Sequence, residues 1–314
     1  MFNKVTKVAN IVVLGGINMD LIGTISKFPS PGETIVGKKL FTTPGGKGAN
    51  QAVGVAKLGA SVRMIGRVGN DTFGSALLEN LQSSGVNTQG INKDMNSSSG
   101  VAIILVDTKG QNQIVVIRGA NMNCGENELK QSIQALEGAN ALMLQLEVPS
   151  NISISTAKFA KEKGIPIILD PAPVQYISED ILDNVDILTP NQTEAEYLTG
   201  IKVTNIDSAK IAAAAIFKLG LSIVVVKIGA LGSYYISNYE EGLVPSYKVD
   251  TVDTVAAGDA FGAALTVALC EGKCLRDAVK YGNASGALAV TKNGAQSAMP
   301  TRNELESLLS AHEK

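Results

Sequence analysis

The 314-residue sequence predicts an α/β fold: a doubly wound, mostly parallel central sheet flanked by helices, with a small β-sheet beside it. Three observations predict it. Short unbroken runs of Val, Ile and Leu recur along the chain, the mark of strands covered on both faces. Helix-period stretches with readable ends separate these runs. Two segments, 21–43 and 100–119, carry β-like stretches with no helix between them.

In chain order, buried strands are expected at 9–14, 61–65, 141–145, 165–169, 185–188 and 222–227. A helix at 51–58 stops at Gly59 and another at 73–83 stops at Gly85, glycine being the usual left-handed terminator. A helix at 301–309 opens on Thr301 with Glu304 three residues on, a capping box. Within the second irregular segment, 101–106 and 113–118 read as a hairpin around Thr108, Lys109 and Gly110. Together with 21–43 it would form a lid. No linker, charge block, low-complexity run or repeat divides the chain, so residues 1–314 read as one domain with that lid inserted.

Composition removes several function classes. Basic and acidic residues number 27 and 29, a net charge of −2 that offers no field for a nucleic-acid backbone or an anionic membrane. The apolar stretches fall far short of the roughly 18–20 residues that span a bilayer. Three cysteines, Cys124, Cys270 and Cys274, are too few for a disulfide framework and suit free thiols in a reducing cytoplasm. The only histidine is His312, which removes Ser-His-Asp and Cys-His catalysis, HExxH zinc sites and the catalytic loop of protein kinases. The general base of an enzyme with this sequence is expected to be a carboxylate.

Two glycine-rich stretches draw attention. Pro44-Gly45-Gly46-Lys47-Gly48-Ala49-Asn50-Gln51 lacks P-loop spacing, and Gly15-Gly16 is followed by Ile17, so neither is a nucleotide fingerprint. A glycine turn feeding a helix still lets a ligand approach the backbone; a plain turn is the competing reading. In Asp253-Thr254-Val255-Ala256-Ala257-Gly258-Asp259, the small residues leave room for phosphate oxygens at a helix N-terminus. Asp259, about one turn in, could take a proton from an attacking hydroxyl, as phosphoryl transfer requires. The competing reading is that Asp253 or Thr254 caps the helix and Asp259 complements its dipole.

Other candidates follow predicted strands. Asn18 and Asp20, at i and i+2, would point the same way from an extended segment toward adjacent sugar hydroxyls. Glu147 ends the run at 141–145, and 227–232 ends the run at 222–227. Asn191 with Glu194 is itself a capping-box pattern, placed where α/β ligand sites lie. In a doubly wound sheet all these positions converge on one edge.

With GGINMD, PGGKGANQAV, QLE, TPNQTEAEYLTG and VDTVAAGDAFGAAL in this order, the chain resembles the ribokinase-like carbohydrate kinases from about residue 11 to residue 300. The resemblance implies an α/β sandwich with a β-sheet lid that moves the ATP γ-phosphate to a sugar hydroxyl with Mg²⁺. D-Ribose is the acceptor expected first; 2-deoxyribose, fructose or a nucleoside are the alternatives. A non-catalytic sugar- or nucleotide-binding protein is the rival of another class, and the intact DTVAAGD segment argues against it.

By the same resemblance, Asp259 is the catalytic base, with Ala256, Ala257 and Gly258 as the anion hole. Asn18, Asp20, Gly45, Gly46, Lys47, Asn50 and Glu147 would hold the sugar with Asp259. Asn191, Lys227, Gly229, Gly232, Gly258 and Asn283 would contact ATP, and Glu194 would act on Mg²⁺ through water. K⁺, an activator in the family, would lie between two loops, at Asp253, Val255, Ala289, Lys292, Gly294 and Ala298, bound mostly by carbonyl oxygens. Two positions depart from the family pattern: Ala298 stands where a serine is common, and Lys227 where the best-known bacterial members have threonine. The first bears on K⁺ affinity, and the second adds positive charge near the phosphates. A homodimer through the lid is also implied.

Overall fold

The structure, a computed structural model, describes residues 8–174 and 177–312. The chain enters through β1 (Asn10–Leu14) and leaves at once for a smaller sheet with β2 (Asn18–Thr24) and β3 (Lys39–Gly45). It returns through the helix Lys47–Lys57 to β4 (Ser61–Gly69) and, after the helix Thr72–Ser83, to β5 (Asn87–Asp94). A second excursion adds β6 (Gly100–Val106) and β7 (Asn112–Ile117) to the small sheet. Next come β8 (Ala141–Leu144), β9 (Ile167–Leu169), β10 (Ile187–Leu188) and β11 (Ile223–Lys227), and finally β12 (Ser233–Ser237) and β13 (Glu241–Val244).

The main sheet runs β13-β12-β11-β10-β9-β8-β1-β4-β5, parallel except at the β13 edge, where β12 pairs antiparallel with both β11 and β13. Its order reverses at β1, with β4 and β5 on one side and β8 on the other, so a crevice opens past the C-terminal ends of these strands. The unbroken apolar runs now have their cause. Ile11 and Val13 face one core and Val12 and Leu14 the other, all four fully buried. The first core is closed by the helices Lys47–Lys57, Ala257–Cys270 and Leu275–Ala289, the second by Ser150–Glu162 and Ile206–Phe217.

All six expected strands form, and the expected helix stops hold, with Gly59 at φ 83° and Gly85 at φ 84°. The capping box of Thr301 and Glu304 is present. Two features differ from the sequence reading. The polar segment Asn87–Asp94 becomes β5, an edge strand whose pairing with β4 needs no apolar run. The first helix starts at Lys47 rather than at residue 51, because Gly46 turns the chain at φ 88°.

The small sheet has the order β3-β2-β6-β7. β2 begins at Asn18 and β3 ends at Gly45, the two residues paired with each other, so both stand on the lid itself. No helix among the described residues is long and apolar enough to cross a membrane.

Candidate active site

The helix Ala257–Cys270 starts at Ala256, the only non-glycine residue with positive φ among those described (φ 58°, ψ 11°). A left-handed alanine costs about 1–2 kcal/mol, so tertiary structure holds it there. No side chain caps this helix. The capping expected of Asp253 or Thr254 is therefore absent: the Asp253 carboxylate instead accepts the N–H groups of Val255 at 3.0 Å and Gly294 at 3.1 Å. The positive end of the dipole stays open to the cleft, where an anion is favoured.

Asp259 lies two residues into that helix, 3% exposed. Asn50 donates to its Oδ2 at 2.9 Å and Gln51 to its Oδ1 at 3.2 Å, which fixes both oxygens. Burial raises its pKa, the nearby Lys47 charge opposes that, and Asp170 adds to it; the net direction is upward. The Asn50 Oδ1 on the other side of that amide is buried and has no hydrogen-bond partner.

Asn18, Asp20 and Glu147 meet next to Asp259, with Gly45, Gly46 and Lys47 beside them. Burial first, then the charges of Glu147 and Asp259, push Asp20 up to about 7. Burial pushes Glu147 up to about 6 against the opposing charge of Lys47, whose own backbone N–H donates to Glu147 Oε2 at 2.7 Å. Burial works against the Lys47 ammonium, yet Asp259, Asp170, Glu147 and Glu194 together raise its pKa. Both glycines are required here. A Cβ at Gly46 would stand 2.6 Å from Asn18 N, and one at Gly45 would collide with the Asp20 carboxylate.

The cleft continues toward β11 as a cavity of about 1020 Å³. Lys47, Asp170, Asn191, Glu194, Lys227, Gly229, Gly232, Ala256, Ala257, Gly258, Asp259 and Asn283 all line it. Lys227 donates to Asp170 Oδ1 at 3.0 Å, and its ammonium would stand 3.3 Å from a Cβ at Gly258. Asn191 caps the helix Gln192–Thr199, and its amide donates to Glu194 Oε1 at 2.8 Å. Burial and the Asp170 charge raise the Glu194 pKa against Lys227. The Asn283 amide is spent within the protein, on Ser233, Val244 and Pro245, so it shapes the cavity wall rather than offering a free group.

The two loops expected at the cation are joined. Val252 and Asp253 donate to Val290 O at 2.7 and 3.2 Å, and Asp253 reaches Gly294 as described. The Lys292 ammonium turns away to Glu304 at 2.6 Å. Ala298 is fully buried nearby.

Sequence reasoning missed Gln51, Asp170 and Gln145. Gln51 Nε2 bridges Asp259 and Asp170, 3.2 Å from each, and Gln145 donates to Gln51 Oε1 at 2.6 Å. Asp170 directly follows the run at 165–169, so the strand-end rule that flagged Glu147 reaches it as well.

A buried carboxylate held beside an open helix end, with two lysines at hand, suits transfer of a charged group to a neutral hydroxyl; this sets the molecule among α/β phosphotransferases. The chain belongs to the pfkB family of carbohydrate kinases, whose sequence model matches residues 8–302. It is 40% identical over 301 residues to a ribokinase of Bacillus subtilis, covering 96% of this chain and 99% of that one. It is 38% identical over 294 residues to a ribokinase of Haemophilus influenzae, with 94% and 96% covered. The solved structure of Arabidopsis thaliana ribokinase, complexed with ribose and ATP, superposes with a TM-score of 0.89 at 35% identity, covering 96% of this chain and 99% of that one.

Proposed function

We propose that this chain phosphorylates D-ribose at its 5-hydroxyl with ATP, giving D-ribose 5-phosphate and ADP. One observation carries the reading: the base, the orphan acceptor Asn50 Oδ1 and the lid carboxylate Asp20 crowd one buried corner beside an open helix end. That corner suits a polyhydroxylated acceptor, whose hydroxyls satisfy the buried acceptors.

In this reading the sugar is held by Asn18, Asp20, Gly45, Gly46, Lys47, Asn50 and Glu147. Its hydroxyl oxygen attacks the γ-phosphorus as its proton passes to Asp259, and the bond to the β-phosphate oxygen breaks. Ala256, Ala257 and Gly258 neutralise the transferring group with backbone dipoles already in place. Lys227 adds a charge there, while Asn191, Gly229, Gly232 and Asn283 shape the nucleotide side. Closure of the small sheet would exclude water.

Mg²⁺ fits the donor set. No cluster of three His, Cys, Asp or Glu exists among the described residues, but Asp170 and Glu194 face each other closely enough to raise the Glu194 pKa. These two would hold the ion together with substrate phosphates and water, and bound there it would neutralise triphosphate charge. K⁺ fits a site with few formal charges: the loops carrying Asp253, Val255, Ala289, Lys292 and Gly294 are tied together by backbone. Ala298 supplies no oxygen from its side chain, so Ala298→Ser is expected to lower the K⁺ concentration for half-maximal turnover. The lid strand β7 is exposed along its whole length, with Ile114, Val115, Val116 and Ile117 uncovered. A second copy on this face would bury them, and sedimentation of the intact protein tests for the homodimer.

The deciding experiment is phosphate transfer from ATP to ribose, 2-deoxyribose, fructose and adenosine, each with and without K⁺. Ribose-selective turnover is the expected result. Preference for another acceptor would discard ribose and keep the mechanism. Absence of transfer to every acceptor would overturn both.

A further inference from the structure

We infer that Asn121 fixes which end of the Asn18 amide faces the sugar, making Asn18 a hydrogen-bond donor in the site; the inference rests on the assignment of Asn18 to the sugar. Asn121 sits in the 3₁₀ turn Gly119–Asn123 and is 1% exposed. Its Oδ1 accepts the Ile17 backbone N–H at 2.9 Å. A backbone N–H can only donate, so the main chain itself decides that this end of Asn121 is oxygen. The opposite end is then the amide nitrogen, which donates to Asn18 Oδ1 at 2.7 Å, to Ile17 O at 3.1 Å and to Arg118 O at 3.0 Å.

With its oxygen taken, Asn18 turns its NH₂ the other way, where it lies 3.4 Å from Glu147 Oε1. That contact is long for a hydrogen bond and leaves the donor available to a ligand. The relay therefore runs from the Ile17 N–H through Asn121 to Asn18, with no ionisable group in it. Its output is one donor set beside two carboxylates, Asp20 and Glu147, which when ionised only accept. A sugar hydroxyl is both donor and acceptor, so it can donate a hydrogen bond to a carboxylate and accept one from Asn18. A sugar lacking that hydroxyl leaves the donor unmatched in a buried site.

Asn121 also stands at the junction of the two sheets. It holds Ile17 and Asn18 where the chain enters β2, and Arg118 where the chain leaves β7. A Cβ at Gly100, where the chain enters β6, would collide with both Asn18 Oδ1 and Asn121 Nδ2. The donor is thus positioned by the same group that fixes the root of the lid.

Asn121→Asp tests this directly. An aspartate keeps an acceptor for Ile17 but has nothing to donate, so Asn18 must turn its NH₂ toward it and offer oxygen to the sugar. By calorimetry the Kd for D-ribose is expected to rise about ten- to hundredfold, as for a site whose buried polar partner is mismatched, with ADP affinity held within about twofold. Asn121→Ser, which adds no charge, guards against a failure to fold and is expected to weaken ribose in the same direction. Asn18→Ala separates the two layers. If it leaves ribose affinity unchanged, the assignment of Asn18 to the sugar fails and the inference with it. If Asn18→Ala weakens ribose while both Asn121 variants bind it like the wild type, the relay alone is overturned. Parallel loss of ribose and ADP affinity with a lowered Tm would make Asn121 merely structural and overturn it too. The double variant Asn18→Ala/Asn121→Ser should bind ribose no more weakly than Asn18→Ala alone.

Discussion

The Lys227 ammonium lies 3.0 Å from Asp170 Oδ1, with side-chain exposures of only 13% and 5%. The pair joins the end of β9 to the end of β11 across the cleft, next to Gly258. Breaking a buried pair from one side leaves an uncompensated charge and costs about 3–5 kcal/mol. Lys227→Met is therefore expected to lower thermal stability markedly and to raise the KM for ATP. Adding Asp170→Asn removes the stranded carboxylate. The double variant should recover most of the stability in a melting experiment while the ATP defect remains, Asp170 being also a proposed Mg²⁺ donor, and recovery of both would place Lys227 and Asp170 alike outside the nucleotide and metal contacts.

Asp259→Asn keeps the size of the side chain at the second residue past the helix start and removes its capacity to take a proton. Turnover is expected to fall about 10²- to 10⁴-fold, the range for loss of a general base. Ribose and ATP dissociation constants, measured by calorimetry, should change little. Near wild-type turnover would exclude Asp259 as the base.

Much of this site was legible because it obeys one rule. Asn18, Glu147, Asn191, Lys227 and Asp259 follow strands or open helices, and a parallel sheet brings such positions to one edge. The same rule reaches Asp170. Other features depend on contacts that no local pattern encodes. Asn121 meets Asn18 across 103 positions, and β5 becomes a strand by pairing with β4 although its own sequence is polar. At Ala256 the local signal pointed elsewhere: Asp253 and Thr254 are better caps, but Asp253 is drawn to Gly294 by the tertiary fold.

The raised carboxylates give stability a definite pH dependence. Asp20 has an ordinary value of 3.8 and a folded value of about 7. Between those values the folded protein holds a proton that the unfolded chain has released. Stability from this group is thus complete below about pH 4 and is lost as pH rises toward 7, with a slope of at most about 1.4 kcal/mol per pH unit. Glu147, pushed up to about 6, acts in the same direction over a narrower window. The fall in Tm of the ligand-free protein between pH 5 and pH 7, both values inside the Asp20 window, should be shallower in Asp20→Asn than in the wild type. An unchanged slope would mean that Asp20 titrates normally.

Ala256 carries backbone strain, with φ 58° at the foot of the helix that bears Asp259. Glycine adopts this conformation without the Cβ clash, so Ala256→Gly relieves about 1 kcal/mol or more in the folded state. Against that, glycine gives the unfolded chain more freedom, an effect of about 0.4–1 kcal/mol in the opposite direction. The net change in stability should therefore be small, from neutral to about 1 kcal/mol stabilising, whereas alanine-to-glycine within the helix, as at Ala263, where a fully buried methyl is lost as well, should destabilise by about 1–2 kcal/mol. Urea titration of the two variants side by side provides the comparison. Equal destabilisation at both positions would show that the left-handed turn at Ala256 is not where the chain stores strain.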